Sequence, residues 1–148
     1  MTRNEEADAY VQQQWLEEVD EVLKLRDLYE ETRRTRAFDF YEPYPFQLRF
    51  HEARDDQGNR ARQRCLMAGN KTGKTYSGAM EVAYHLTGIY PDWWEGVRFE
   101  RPIQAWCAGK SHYATRDIVQ AELLGESGDP DAFGTGAIPR DLIIKTER

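Results

Sequence analysis

The chain has 148 residues, 31% of them charged and 40% hydrophobic, with a net charge of -6. This is one domain's worth of sequence, long enough to bury a core. It argues against a membrane protein, because no apolar run approaches the ~20 residues a bilayer crossing needs. The opening Met-Thr-Arg-Asn-Glu-Glu is no secretory signal peptide. The two cysteines, Cys65 and Cys107, fall in predicted strands and read as reduced, buried small hydrophobes, which points to a cytoplasmic setting. The acidity is uneven: residues 1–40 hold 11 acidic and 6 basic side chains, and the remainder holds 15 and 14. Arg49, Arg54, Arg60, Arg62 and Arg64 are interrupted by Glu52, Asp55 and Asp56, and read as a solvated loop face rather than a nucleic-acid surface.

In chain order, residues 5–36 predict one long helix, with capping-box spacing between Thr2 and Glu5. Trp15, Leu16, Val19, Val22, Leu23 and Tyr29 recur at helical intervals, a face to be buried against the rest of the chain or against a partner helix. Pro43 and Pro45 end that helix, and Gln47 to Ala53 predicts a short one. A first strand is expected at about 63–68, a helix from Tyr76 to Leu86 stopped by Gly88, and a second strand from Ile103 to Ala108. A further helix is expected from Ala114 to Leu124, with Ser111 near its N-cap. Asp141 to Lys145 begins a third strand, read as cut short at Arg148. Strands alternating with helices predict an α/β fold with a mostly parallel sheet. The aromatics Tyr90, Trp93 and Trp94 read as packing over the sheet edge, since no basic groove accompanies them for stacking on bases.

Between the first strand and its helix lies Ala68-Gly69-Asn70-Lys71-Thr72-Gly73-Lys74-Thr75. This is nearly the phosphate-loop spacing GxxxxGK[ST], with Ala68 in place of the first glycine. Successive backbone N–H groups of such a loop cradle an anion, and the following helix directs its positive end at the same place. Lys74 is then the residue for the β- and γ-phosphates, and the Thr75 hydroxyl is a ligand for Mg²⁺. The expected ligands are therefore a nucleotide and a divalent cation, held by residues 68 to 75.

Taken together, these segments resemble the large terminase subunit of tailed bacteriophages, the ATPase that pumps DNA into the procapsid. The resemblance runs from about residue 40 to the end. It rests on Tyr41-Glu42-Pro43-Tyr44-Pro45-Phe46-Gln47, the phosphate loop, His85 through Gly96 with its Tyr-Pro-Asp-Trp-Trp-Glu-Gly run, and Trp106-Cys107-Ala108-Gly109. It continues through Thr115-Arg116-Asp117-Ile118-Val119-Gln120 and Gly134 to Ile143. The resemblance implies a P-loop NTPase of the RecA-like (ASCE) type, incomplete, with residues 1–40 as a helical region and 41–148 as the N-terminal portion of the ATPase domain. It implies ATP and Mg²⁺ as cofactors and Gln47 as the reader of the adenine edge, a role its amide donors and acceptor suit. It also implies double-stranded DNA, the terminase small subunit and the portal as partners of the full motor, in the host cytoplasm and transiently at the procapsid.

Two departures qualify this reading. Asn70 and Lys71 stand where family loops carry Arg or Gln, so an arginine finger within the loop is not supported. After Thr75 no apolar strand ends in Asp-Glu, so the acids that hold Mg²⁺ and position water for hydrolysis are missing. This leaves open a non-catalytic module that binds other terminase components, and a helicase-like P-loop ATPase. An unpaired sheet edge would also call for a C-terminal part or further copies of the chain.

Overall fold

The computed structural model describes residues 3–145. The chain divides into two units, Met1–Arg34 and Thr35–Arg148. The first is carried by α1 (Arg3–Thr35), close to the expected span; its proposed cap at Thr2 lies outside the described residues. Trp15, Leu16, Val22 and Tyr29 of α1 are exposed, and local pairs such as Lys24 with Asp20 lie one turn apart along it. Such surface pairs contribute little to stability.

The second unit is organised around α3 (Lys74–Thr87). Gly73 begins it in the left-handed conformation, and Gly88 ends it, donating its N–H to Tyr84 O. Ala79, Met80, Ala83 and Tyr84 repeat at helical spacing and form the buried face. Against that face pack Phe38 from a 3₁₀ turn at Ala37–Phe40, together with Tyr41, Trp94, Ala137 and Ile138. The short helix α2 (Pro45–His51) crosses the same side and buries Gln47 and His51. The Tyr-Pro-Asp-Trp-Trp segment folds onto α3. Trp94 is buried, its indole N–H donates to Val97 O at 3.0 Å, and its ring lies 5.5 Å from that of Tyr84 and 5.0 Å from that of His51.

The second helical run is continuous from 112 to 124. It opens as α4 (His112–Ala114), passes through a π-helical stretch at Thr115–Gln120, and closes as α5 (Ala121–Leu124). Ser111 caps it as expected, accepting from Ala114 N at 3.2 Å. The end of this run explains the Gly-Thr-Gly segment. The last four carbonyls of a helix have no partner within it. Here Ala121 O accepts from Gly125 N, Glu122 O from Ala137 N, Leu123 O from Ile138 N and Leu124 O from Gly134 N, at 2.6–2.9 Å. The chain comes so close that a Cβ on Gly136 would stand 2.5 Å from the Leu123 carbonyl carbon.

The expected parallel sheet is not found, and the α/β, RecA-like fold class is corrected to a helical one. No strand occurs among the described residues; a single antiparallel bridge pairs Arg54 with Arg60. Strands exist only through ladder hydrogen bonds. Residues 63–68 and 103–108 have no regular secondary structure, and no backbone–backbone hydrogen bond among the described residues uses them. Met67 and Trp106 are accordingly 88% and 95% exposed. Cys65 is exposed and Cys107 half-buried, not the buried pair expected. In place of the third strand, Arg140–Leu142 is a 3₁₀ turn, and Thr146 to Arg148 lie outside the described residues. The apolar runs were legible, but a run cannot show whether a neighbour will pair with it.

Stability should follow α3 rather than these unpaired segments. Met80→Ala is expected to destabilise the protein by about 3 kcal/mol, the usual cost of a core methionine truncation. Met67→Ser should change it by less than about 0.5 kcal/mol. Urea unfolding monitored by tryptophan fluorescence measures both.

Candidate nucleotide-binding site

Residues 68 to 75 form a loop that turns into the N-terminus of α3. Lys71 and Gly73 both take left-handed backbone angles, with φ of 59° and 79°. Thr72 Oγ1 donates to Gly69 O at 2.9 Å, which tightens the turn. The Lys74 ammonium folds back and donates to Ala68 O at 2.9 Å and to Gly69 O. The loop thus wraps its own lysine. The N–H groups of Gly73, Lys74 and Thr75 make no backbone–backbone hydrogen bond among the described residues. They are donors of the first turn of a 14-residue helix, where the helix dipole favours negative charge. Thr75 is exposed. Three unshared donors, a cation and an exposed hydroxyl converge here, so the residues present fit a phosphate chain with an associated cation. Asn70 and Lys71 are exposed on the rim. Among the described residues, no three His, Cys, Asp or Glu side chains gather as a metal site.

Gln47 lies behind this loop and is almost fully buried. Its Nε2 donates to Gly73 O at 3.2 Å and its Oε1 accepts from Tyr44 N at 2.8 Å. A Cβ on Gly73 would stand 2.9 Å from Nε2 and displace the Gln47 amide, and the positive φ there favours glycine. Sequence reasoning placed Gln47 beside a nucleotide but missed what stands behind it.

That backing is a buried polar cluster. Tyr41 Oη lies 3.1 Å from both Ser77 Oγ and His51 Nε2. His51 Nδ1 is 2.7 Å from Glu81 Oε2, and the Arg64 guanidinium pairs with both Glu81 oxygens. His85 Nε2 lies 3.5 Å from Glu81 Oε1. Burial alone pushes the Glu81 carboxyl up, but hydrogen bonds from His51, His85 and Arg64, with the Arg64 charge, hold it well below the usual carboxylate range. Ser77, His51 and Glu81 have the bonding order of a nucleophile–base–acid triad. Ser77 and His51 are sealed from solvent, so no substrate reaches the hydroxyl and the cluster's role is structural. Arg64 is not on a solvated face: it also donates to Phe50 O at 2.9 Å and lies over the Phe50 ring. The signal available was an acid at position 81 inside a largely apolar helical face.

A separate cleft of about 570 Å³ lies between Tyr76 of α3, the 112–124 run and residues 132–137. Asp117, Glu122 and Glu126 line it, and burial pushes the Glu122 carboxyl up. Arg116 is paired with Asp117 at 2.5 Å beside this cleft. An acidic wall of this kind repels a phosphate chain.

The chain is homologous to the large subunit of a phage terminase. The curated relative, described as "Terminase, large subunit" from Salmonella phage P22, is 34% identical over 155 aligned residues. The match takes in 97% of this chain, which spans about 30% of that relative's length. No family model matches the chain, and no solved structure matches it significantly. No helix among the described residues is long and apolar enough to cross a membrane.

Glu81→Gln should destabilise the protein by about 3 kcal/mol, because it leaves the buried His51 and Arg64 without their anion. A carboxylate whose folded pKa is depressed stabilises in full above its unfolded value, about 4.3, and loses that contribution as the pH falls below it. The stability difference between wild type and Glu81→Gln, from urea unfolding, should therefore be constant from pH 8 to 5 and shrink below pH 4.

Proposed function

We propose that this chain is the ATP-binding portion of a terminase motor, which couples ATP hydrolysis to packaging of double-stranded DNA into a procapsid. The observation that carries this reading is the residue 68–75 loop, in a chain with 34% identity to a phage terminase large subunit. The unshared N–H groups of Gly73 to Thr75 would receive the phosphate oxygens. Lys74 would leave the carbonyls of Ala68 and Gly69 for the β- and γ-phosphates, and the Thr75 hydroxyl would ligate Mg²⁺. Gly69, Asn70, Lys71 and Thr72 would complete the cradle. Gln47, buried behind the loop, would select adenine by turning part of its amide from Gly73 O and Tyr44 N toward the base. Bound Mg²⁺·ATP supplies the phosphoryl group whose hydrolysis drives translocation. The chain supplies binding and orientation, with no Asp-Glu strand following Thr75 to provide the hydrolytic acids. The partners of this reading are the terminase small subunit, the portal and DNA, met in the host cytoplasm.

Isothermal titration with Mg²⁺·ATP should give saturable binding that Lys74→Ala weakens at least about tenfold, the loss of a charge-assisted contact. ATP should outcompete GTP. Turnover by the chain should be slow; brisk hydrolysis abolished by Lys74→Ala would place the acids within these residues after all.

A further inference from the structure

We infer that Gln47 and Tyr41 are positioning residues for the phosphate loop, setting its affinity for a polyphosphate whatever base is attached. The inference rests on the loop being the anion site. The orientation of the Gln47 amide is fixed by its surroundings. Tyr44 N can only donate, so it must face Oε1, at 2.8 Å; Gly73 O and Thr72 O can only accept, so they must face Nε2, at 3.2 and 3.5 Å. Gly73 O is also the acceptor of the first hydrogen bond of α3, from Ser77 N at 2.9 Å. Gln47 therefore holds the carbonyl from which the helix starts. The same planar peptide unit carries the Lys74 N–H, and the next one carries that of Thr75, so fixing that carbonyl fixes where those donors point.

The amide is anchored in turn. The Tyr41 hydroxyl has one proton and three acceptors in reach, Ser77 Oγ and His51 Nε2 at 3.1 Å and Gln47 Oε1 at 3.4 Å, so its oxygen sits against the Gln47 amide and shares that proton among them. An ionised Glu81 only accepts, so His51 Nδ1 carries the hydrogen between them, and the imidazole is locked with Nε2 toward the Tyr41 and Ser77 hydroxyls. Arg64 fixes Glu81 from the far side. Gly73, Gln47, Tyr41, His51, Glu81 and Arg64 form one contiguous set of polar contacts, and no buried side-chain polar atom among the described residues lacks a partner. Buried networks satisfied in this way hold one geometry, and a pre-set geometry is what a loop needs to bind an anion without reordering.

The test is titration of inorganic tripolyphosphate, which has no base, into wild type, Gln47→Met, Gln47→Glu and Tyr41→Phe, with thermal melts as a fold control. Gln47→Met should weaken binding about fivefold, the worth of one hydrogen bond. Gln47→Glu, which sets a carboxylate oxygen against Gly73 O, should weaken it further. Tyr41→Phe removes one oxygen, and carries the test if the Gln47 variants do not fold; it too should weaken binding. Wild-type affinity in folded Gln47→Met and Tyr41→Phe overturns the inference and leaves Gln47 as a reader of adenine alone. Failure of wild type itself to bind tripolyphosphate overturns the anion-site reading instead.

Discussion

The second unit depends on one buried carboxylate. Glu81 lies in the middle of α3, on a face otherwise built from Ala79, Met80, Ala83 and Tyr84. A lone charge there would be expelled or neutralised. Arg64, His51 and His85 meet it from the segment before the loop, from α2 and from α3 itself, so three parts of the chain converge on one side chain. Their mutual dependence is the constraint: none of the four is stable in that place without the others. Replacing such a cluster by apolar residues can be neutral for stability. What it supplies is a fixed geometry, since the cluster tolerates only one arrangement of donors and acceptors.

That geometry reaches the surface at the phosphate loop. His51 hands on its orientation to Tyr41 and Ser77, and Tyr41 lies against Gln47, which grips Gly73 O. The loop lies over the end of a polar scaffold rather than on a bed of apolar side chains. It keeps its lysine folded onto its own carbonyls and presents the N–H groups of Gly73 to Thr75. The interior thus sets the shape of a site whose chemistry is entirely at the rim.

The remaining conserving device is at the other helix. The run from 112 to 124 ends in carbonyls that would be costly to leave unpaired. The segment from Gly134 to Ile138 doubles back to satisfy them, which its glycines allow because the backbones nearly touch. The aromatic segment at 90–94 acts likewise as packing: Trp94 is buried over Tyr84 and His51. Both segments carried the family resemblance, and both find a packing role.

By itself the sequence determined the loop, its helix, the stop at Gly88, the cap at Ser111 and the kinship with terminase large subunits. Each of these is written in local spacing or in a run of identities. Capping, helical periodicity and glycine conformation act over a few residues, so a single stretch of chain is enough to decide them. Only the tertiary structure decided the rest. Residues 63–68 and Ile103 to Ala108 read as strands, but pairing needs a second segment at the right distance, and the described residues provide none. Arg64 read as a surface charge, and no spacing signal tied it to Glu81; they are 17 positions apart, and only folding places them in contact. Periodicity records which face a side chain occupies, whereas a hydrogen-bond partner far along the chain leaves no trace in spacing.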